Sequence, residues 1–356
     1  TFLAIGLVAV LAAGPAWGTA AYLGLGVGLL LVLAGITASR AYGDARAGAA
    51  LGAAAMPYAF AGGAALVASG AADRVGVFAP LPWLGGPELL SGAVALLLVS
   101  ALGGIGVVSS LRVFAAGATA GLLAALSALA GMLTTTAGAA AVLISVLVCG
   151  IGVLPLVAIR FGKVPTPPIT LPTGSEADGF TGATSSRLST GLDAARERPD
   201  RAIVFAAVTR TEELLAGMSL GHAVLAAGAF AVLATSGSLS ARILIAVSAA
   251  ALMLRSRLFV TVRQRVPLIC AGLSGAAALG FDLLAGADTG TMLAVTAAGV
   301  LLALVTVAAG ATYSRRPPSP YLGRAADLLD TLVVVSVIPV ACAVVGLYGA
   351  VGDITF

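Results

Sequence analysis

The stretch Ser238-Leu-Ser-Ala-Arg-Ile-Leu-Ile-Ala-Val-Ser-Ala-Ala-Ala-Leu-Met-Leu254 decides whether the chain crosses a bilayer an odd or an even number of times. It is apolar apart from three serines and Arg242, which shortens its clean stretch. Counted as a span, it keeps the clusters Arg255 to Arg265 and Arg315 to Arg324 on one side of the membrane. Left out, it puts them on opposite sides, against the bias of Lys and Arg toward cytosolic loops. One arginine snorkelling to an interface costs less than that contradiction. The stretch therefore reads as a span.

Similar runs fill the chain on both sides of it. Of 356 residues, 60% are hydrophobic and only 10% charged, and the apolar runs are too long for a soluble core. Runs of about 20 apolar residues match the hydrocarbon thickness of a bilayer. They are continuous, so helices rather than alternating barrel strands cross the membrane. The fold class is all-α, a polytopic membrane protein of the bacterial inner membrane. Eleven spans are read: Thr1 to Ala16, Ala20 to Ala38, Ala47 to Ser69, Leu89 to Val108, Val113 to Leu133, Gly138 to Ile159, Thr211 to Ser236, Ser238 to Leu254, Val266 to Leu284, Gly290 to Ala311 and Thr331 to Val351. Residues 1–160 carry spans one to six, 161–210 form a cytosolic loop, and 211–356 carry spans seven to eleven.

Seventeen of the nineteen Lys and Arg residues then fall on one face. They are Arg40, Arg46, Arg112, Arg160, Lys163, Arg187, Arg196, Arg198, Arg201, Arg210, Arg255, Arg257, Arg263, Arg265, Arg315, Arg316 and Arg324, while Arg74 and Arg242 fall on the other. Acids are less segregated, with ten on the basic face and five opposite. The basic face is expected to be cytosolic, with the N-terminus inside and the C-terminus outside. Trp17 and Trp83 fall in outer loops, where interfacial aromatic anchors sit. The chain opens on Thr1 with no basic flank, so a cleavable signal peptide is not expected and a cytosolic segment ahead of it is.

The high pI does not signal nucleic-acid binding, because the cations are dispersed over five loops and the net charge is only +4. Cys149, Cys270 and Cys342 lie singly in separate spans, with no metal-ligand or disulfide spacing. No cofactor or metal site is expected. Gly117-x-x-x-Gly121 and Gly217-x-x-x-Gly221 are small-residue motifs for close helix packing. Pro57, Pro155 and Pro339 are candidates for helix kinks.

The loop from Phe161 to Arg210 starts with an extended, proline-rich path and carries a charged candidate helix from Ser189 to Arg198, stopped by Pro199. With six basic and five acidic residues it is no polybasic lipid patch. It reads either as a flexible connector or as a docking strap for a partner's cytosolic domain. Thr211-Glu-Glu213 reads as a helix cap with acids at the positive end of the dipole.

Polar groups inside hydrocarbon usually mark function, and few are present. His222, the one histidine, has no ionisable neighbour at similar depth, so an interhelical hydrogen bond is expected rather than a proton relay. Asp282, near the outer end of its span, reads as an interfacial cap, not an ion site. Thr134 to Thr136 form an outer turn. A polyprenol-dependent glycosyltransferase calls for acids in the first outer loop, and Pro15-Ala-Trp-Gly-Thr19 has none. An intramembrane protease calls for a buried Ser/His, paired Asp or His-Glu site, which is missing too. Catalysis by this chain is not expected, and a stand-alone secondary transporter is the alternative function.

Four segments together resemble the EccD family, the many-spanning membrane component of actinobacterial type VII (ESX) secretion systems. They are Ser39-Arg-Ala-Tyr-Gly-Asp-Ala-Arg46 leading to Met56-Pro-Tyr58, then Val164-Pro-Thr-Pro-Pro-Ile169, then Leu254-Arg-Ser-Arg-Leu-Phe259 with Arg263-Gln-Arg265. The last is Ser319-Pro-Tyr-Leu-Gly-Arg-Ala-Ala-Asp-Leu-Leu-Asp330, entering a span with Ile338-Pro339 and ending near Gly346-Leu-Tyr-Gly349. The resemblance implies a ubiquitin-like cytosolic domain ahead of the first span, which fits the expectation of a cytosolic segment before Thr1. It implies paired copies that scaffold a complex with EccB, EccC and EccE components, EccC being the ATPase. Arg187, Arg196, Arg198, Arg255, Arg257, Arg263, Arg265, Arg315, Arg316 and Arg324 are the candidate contacts to partners or to anionic membrane lipids. The alternative is that these arginines only fix orientation.

Overall fold

The computed structural model describes residues 2–13, 19–68, 84–107, 110–163, 201–285, 287–313 and 320–348, and among these it contains helices and no strand. Twelve α-helices follow in order: α1 Phe2–Ala13, α2 Ala20–Arg40, α3 Ala45–Val67, α4 Gly86–Gly106, α5 Leu111–Gly131, α6 Thr136–Gly150, α7 Leu154–Gly162, α8 Arg201–Thr235, α9 Leu239–Arg255, α10 Val262–Leu284, α11 Thr289–Tyr313 and α12 Pro320–Val345. Nine are long and apolar enough to cross a membrane, and α6 with α7 forms a tenth candidate bent by 66°. The described part of the first expected span, α1, is 12 residues and covers less than a bilayer by itself.

Turn chemistry sets the helix ends. Gly43 takes the left-handed backbone (φ 69°) that closes the α2–α3 turn. Asp44 then caps α3, accepting from the N–H groups of Arg46 (3.1 Å) and Ala47 (3.0 Å). Gly237 (φ 63°) and the Ser238 cap on Ala241 N–H (3.3 Å) do the same between α8 and α9. Thr135 caps α6 at Gly138 N–H, 3.1 Å away. Asp288 caps α11, accepting from the Thr291 hydroxyl (2.6 Å) and the Gly290 N–H (2.9 Å). These bonds, the Thr291 hydroxyl foremost, hold its carboxyl below the usual range. The cap is complete above the ordinary carboxylate pKa and is lost as pH falls through the lowered one.

Two half-bundles result. In the first, α2, α3, α4 and α5 pack as successive neighbours. In the second, α8 packs on α10 and α6, α9 packs on α10 and α12, and the core centres on Phe230, Leu244, Ile245 and Leu268. The halves join where α5 meets α8 and α6. Outside both lies α11, which among the described residues contacts only α10 to any extent and buries none of its spanning window.

Two helices overrun the expected spans. The first, α8, starts at Arg201, because Arg201 to Arg210 holds no proline or glycine to stop a helix that begins just after Pro199. Thr211 is consequently no cap: its hydroxyl donates to the Ala207 carbonyl one turn back (2.8 Å). The second, α12, starts at Pro320, eleven residues before Thr331. Pro57 and Pro339 lie inside continuous helices, and among the described residues the one broken span parts at Ile151–Val153, with Pro155 at the start of α7.

Candidate functional site

Glycine spacing determines how the helices approach. On α8, a Cβ on Gly217 would fall on the Arg112 carbonyl oxygen, and one on Gly221 would lie 2.6 Å from the Ala116 carbonyl oxygen. A Cβ on Gly121 of α5 would lie 2.8 Å from the Ala93 carbonyl oxygen on α4, and one on Gly117 would strike Ser100 and Met56. So α5 presents small-residue contacts to α4 and to α8, bringing backbones together without a side chain between them. A third contact was legible in the sequence but not read from it. Gly24-x-x-x-Gly28 of α2 lies where α2 meets α3, with Gly48 of α3 against Gly35, and a Cβ on Gly24 would be 2.8 Å from the Gly62 Cα.

Between the halves runs a cavity of about 670 Å³. Leu7 and Leu11 of α1, Phe60 of α3, Leu143 of α6 and Val224 and Val232 of α8 are among its walls, and among the described residues no lining side chain is ionisable. Ser127 and Thr136 are the only side chains with a hydroxyl among these described lining residues.

Several arginines bond to the ends of other helices. Arg40, ending α2, donates from Nε to the Gly106 carbonyl (2.7 Å) and from Nη2 to the Ile105 carbonyl (2.8 Å). Both carbonyls lie at the C-terminus of α4, whose last acceptors are otherwise unsatisfied and carry the negative end of the helix dipole. Arg255, ending α9, donates from Nη1 to the Val148 carbonyl (2.9 Å), two residues before the break of α6. Its Nε is 3.8 Å from Asp330 Oδ1 of α12, within ion-pair range but too long for a hydrogen bond. Arg257 pairs with Asp327 at 3.2 Å. Arg255 is thus a junction between α6, α9 and α12.

Arg263, Arg265 and Arg324 are exposed, and no ion pair engages them among the described residues. Arg187, Arg196, Arg198, Arg315 and Arg316 lie outside the described residues, as do Arg74, Trp17, Trp83 and the Val164–Ile169 segment.

Two expectations about buried polar groups are corrected. His222 Nδ1 donates to the Met218 carbonyl of its own helix (3.0 Å), so its bond is intrahelical. An i−4 carbonyl lies within reach of the ring, and among the described residues no polar group from a neighbouring helix bonds Nδ1 in its place. Asp282 is not a cap: its Oδ2 accepts from Arg242 Nε (2.7 Å), linking α10 to α9. Arg242 therefore gains a partner within the bundle instead of only snorkelling. Exchanging the two as Arg242→Asp with Asp282→Arg should recover most of the thermal stability that either single change removes, as read from unfolding of the detergent-solubilised protein.

Glu88 is the least expected buried group, 1% exposed at the start of α4. Its Oε2 accepts from the Gly85 N–H (3.1 Å), while Oε1 has no partner among the described residues.

The model of the EccD-like transmembrane domain matches residues 1–354. The chain belongs to the EccD family. Two solved structures share the fold. One, described as protomer 1 of the ESX-3 core complex, is 20% identical with a TM-score of 0.69, the match covering 98% of this chain and 74% of that one. The other, a chain of the MycP5-free ESX-5 inner membrane complex in its State II, is 19% identical with a TM-score of 0.53, covering 82% and 63%. Among curated proteins none matches. As an EccD-type chain with nine to ten candidate spans, this is a multi-pass protein of the inner membrane.

Proposed function

We propose that the chain is a structural membrane scaffold of a type VII (ESX) protein secretion complex, packing as paired copies around the translocation machinery and supporting export across the inner membrane. The match of the EccD-like domain over residues 1–354 carries this reading. Its partners are the EccB, EccC and EccE components, with the ATPase EccC supplying the energy, and membrane lipids. The scaffold is no enzyme. Arg255, Arg242 and Asp282 hold helices together, and the cavity between the halves is lined chiefly by apolar residues. The N-terminus faces the cytosol and the C-terminus the outside, a sidedness supported by the positive-inside bias. Contacts group the same way: Arg40 meets Gly106, and Arg255 meets Val148 and Asp330, while Arg242 meets Asp282 on the opposite face.

The rival reading, a stand-alone transporter, makes a different use of His222 and Asp282. As a scaffold, the chain carrying His222→Gln or Asp282→Asn should accumulate normally and still support secretion of ESX substrates. Loss of secretion at normal protein level would favour a proton- or ion-coupled carrier.

A further inference from the structure

The depth of each helix follows from its contacts. On α8, Gly217 lies against the Arg112 carbonyl at the start of α5, at the arginine-rich end of the bundle. From Gly217 to Thr235 the helix rises about 27 Å, close to the hydrocarbon thickness of about 30 Å. Gly217 therefore marks the hydrocarbon boundary on that side. Gly150, the last residue of α6, abuts His222, five residues further in. The 15 residues of α6 supply about 22 Å, so α6 ends about 7 Å short of the boundary.

Past the break, α7 turns by 66° and runs beside the part of α8 at and beyond that boundary. Leu154 and Ala158 are buried with Leu214, Leu215 and Met218, and Gly162 packs on Thr211. Leu154 thus lies at the boundary beside Met218 and Gly162 about 9 Å beyond it beside Thr211, so α7 runs from the boundary through the headgroup zone. One stripe of the helix, Leu154, Ala158 and Gly162, faces α8. Away from that stripe, apolar side chains are exposed: Val153 before the helix, Leu156 at 68% exposure, Ile159 and Phe161. Two exposed cations, Arg160 and Lys163, stand at its C-terminal end, and α7 contains no acid. An amphipathic helix with exposed aliphatic residues and terminal cations matches the chemistry of a leaflet surface.

We infer that α7 is an interfacial helix, inserting Leu156 and Ile159 into the leaflet on the arginine-rich side and holding anionic phosphate headgroups with Arg160 and Lys163. This rests on the multi-pass reading but not on the ESX assembly, so either can fail alone. The occupant is lipid rather than protein because α7 is tied to a spanning helix at boundary depth, where headgroups meet it first.

The test uses the full chain in liposomes of phosphatidylcholine, with and without phosphatidylglycerol. Spin labels are attached at Leu156→Cys or Ile159→Cys in a background carrying Cys149→Ala, Cys270→Ala and Cys342→Ala. Collision with oxygen is compared with collision with a nickel chelate. Labels at Leu301→Cys on bare α11 and at Ile203→Cys on the outward extension of α8 give the lipid and water references. The labels on α7 are expected to favour oxygen, as at Leu301. Arg160→Gln with Lys163→Gln should move them toward the nickel reagent, and only in the anionic liposomes. Nickel exposure like that of Ile203 overturns the inference, and so does shielding from both reagents, which would mean that protein covers α7. The same response with and without phosphatidylglycerol overturns the headgroup assignment.

Discussion

Replacing Gly217 and Gly221 with leucine should part the two half-bundles. Both residues face α5 backbone: a Cβ alone would fall on the Arg112 carbonyl oxygen and within 2.6 Å of the Ala116 carbonyl oxygen. Backbone cannot step aside as a flexible side chain can, so α8 has to move away from α5. Overpacking a tight contact costs about 1–3 kcal/mol per site, and two sites on one seam approach the whole stability of a small domain. The double variant should unfold at a much lower temperature in detergent, or fail to accumulate in membranes. Gly26→Ala is the control, since a Cβ there meets nothing within 4 Å. Removing the conformational cost of glycine in a helix should leave that variant unchanged or up to about 1 kcal/mol more stable. Equal effects at Gly217 and Gly26 would show that the α5–α8 contact does not join the halves.

Arg255→Ala is expected to have the next largest effect. It removes the donor to the Val148 carbonyl and the counter-charge of Asp330, whose side chain is 23% exposed. The break at Ile151–Val153 leaves the last carbonyls of α6 without the acceptor-donor ladder that a continuous helix provides, and in a membrane such groups have no water to turn to. Losing a charged donor to a partly buried acceptor and stranding a carboxylate costs about 2–4 kcal/mol. Arg255→Lys should recover only part, because one ammonium cannot present the guanidinium fork to two partners. Protease sensitivity near the break, with thermal unfolding, reads both variants. Asp327→Asn provides the contrast: its pair with Arg257 is 77% exposed on the aspartate side and contributes at most about 1 kcal/mol.

Much of this architecture could be read from hydropathy and charge. Span positions two to five and eight to ten agree with helices to within a few residues, because continuous apolar runs and turn residues such as Gly43-Asp44 and Gly237-Ser238 determine them locally. Helix ends that project past the hydrocarbon were not legible. Arg201 to Arg210 and Pro320 to Asp330 are polar enough to read as loop, yet nothing in them breaks a helix. The break in the sixth span lies inside an apolar run, where only the Gly150-Ile-Gly152 spacing and Pro155 mark it. Pairings such as Arg40 with Gly106, or Arg242 with Asp282, depend on which helices become neighbours, and a one-dimensional pattern does not carry that. The latter pair did leave a trace: both residues lie near those ends of consecutive spans that are opposite the arginine-rich face, at matching depth.

The central claim is that this chain is a scaffold within a secretion complex, and gentle co-purification tests it most directly. An affinity-tagged copy drawn from mildly solubilised native membranes should bring down a large particle containing an ATPase subunit and a second, untagged copy of the chain. Recovery only as a free monomer, with no ATPase attached, would contradict it.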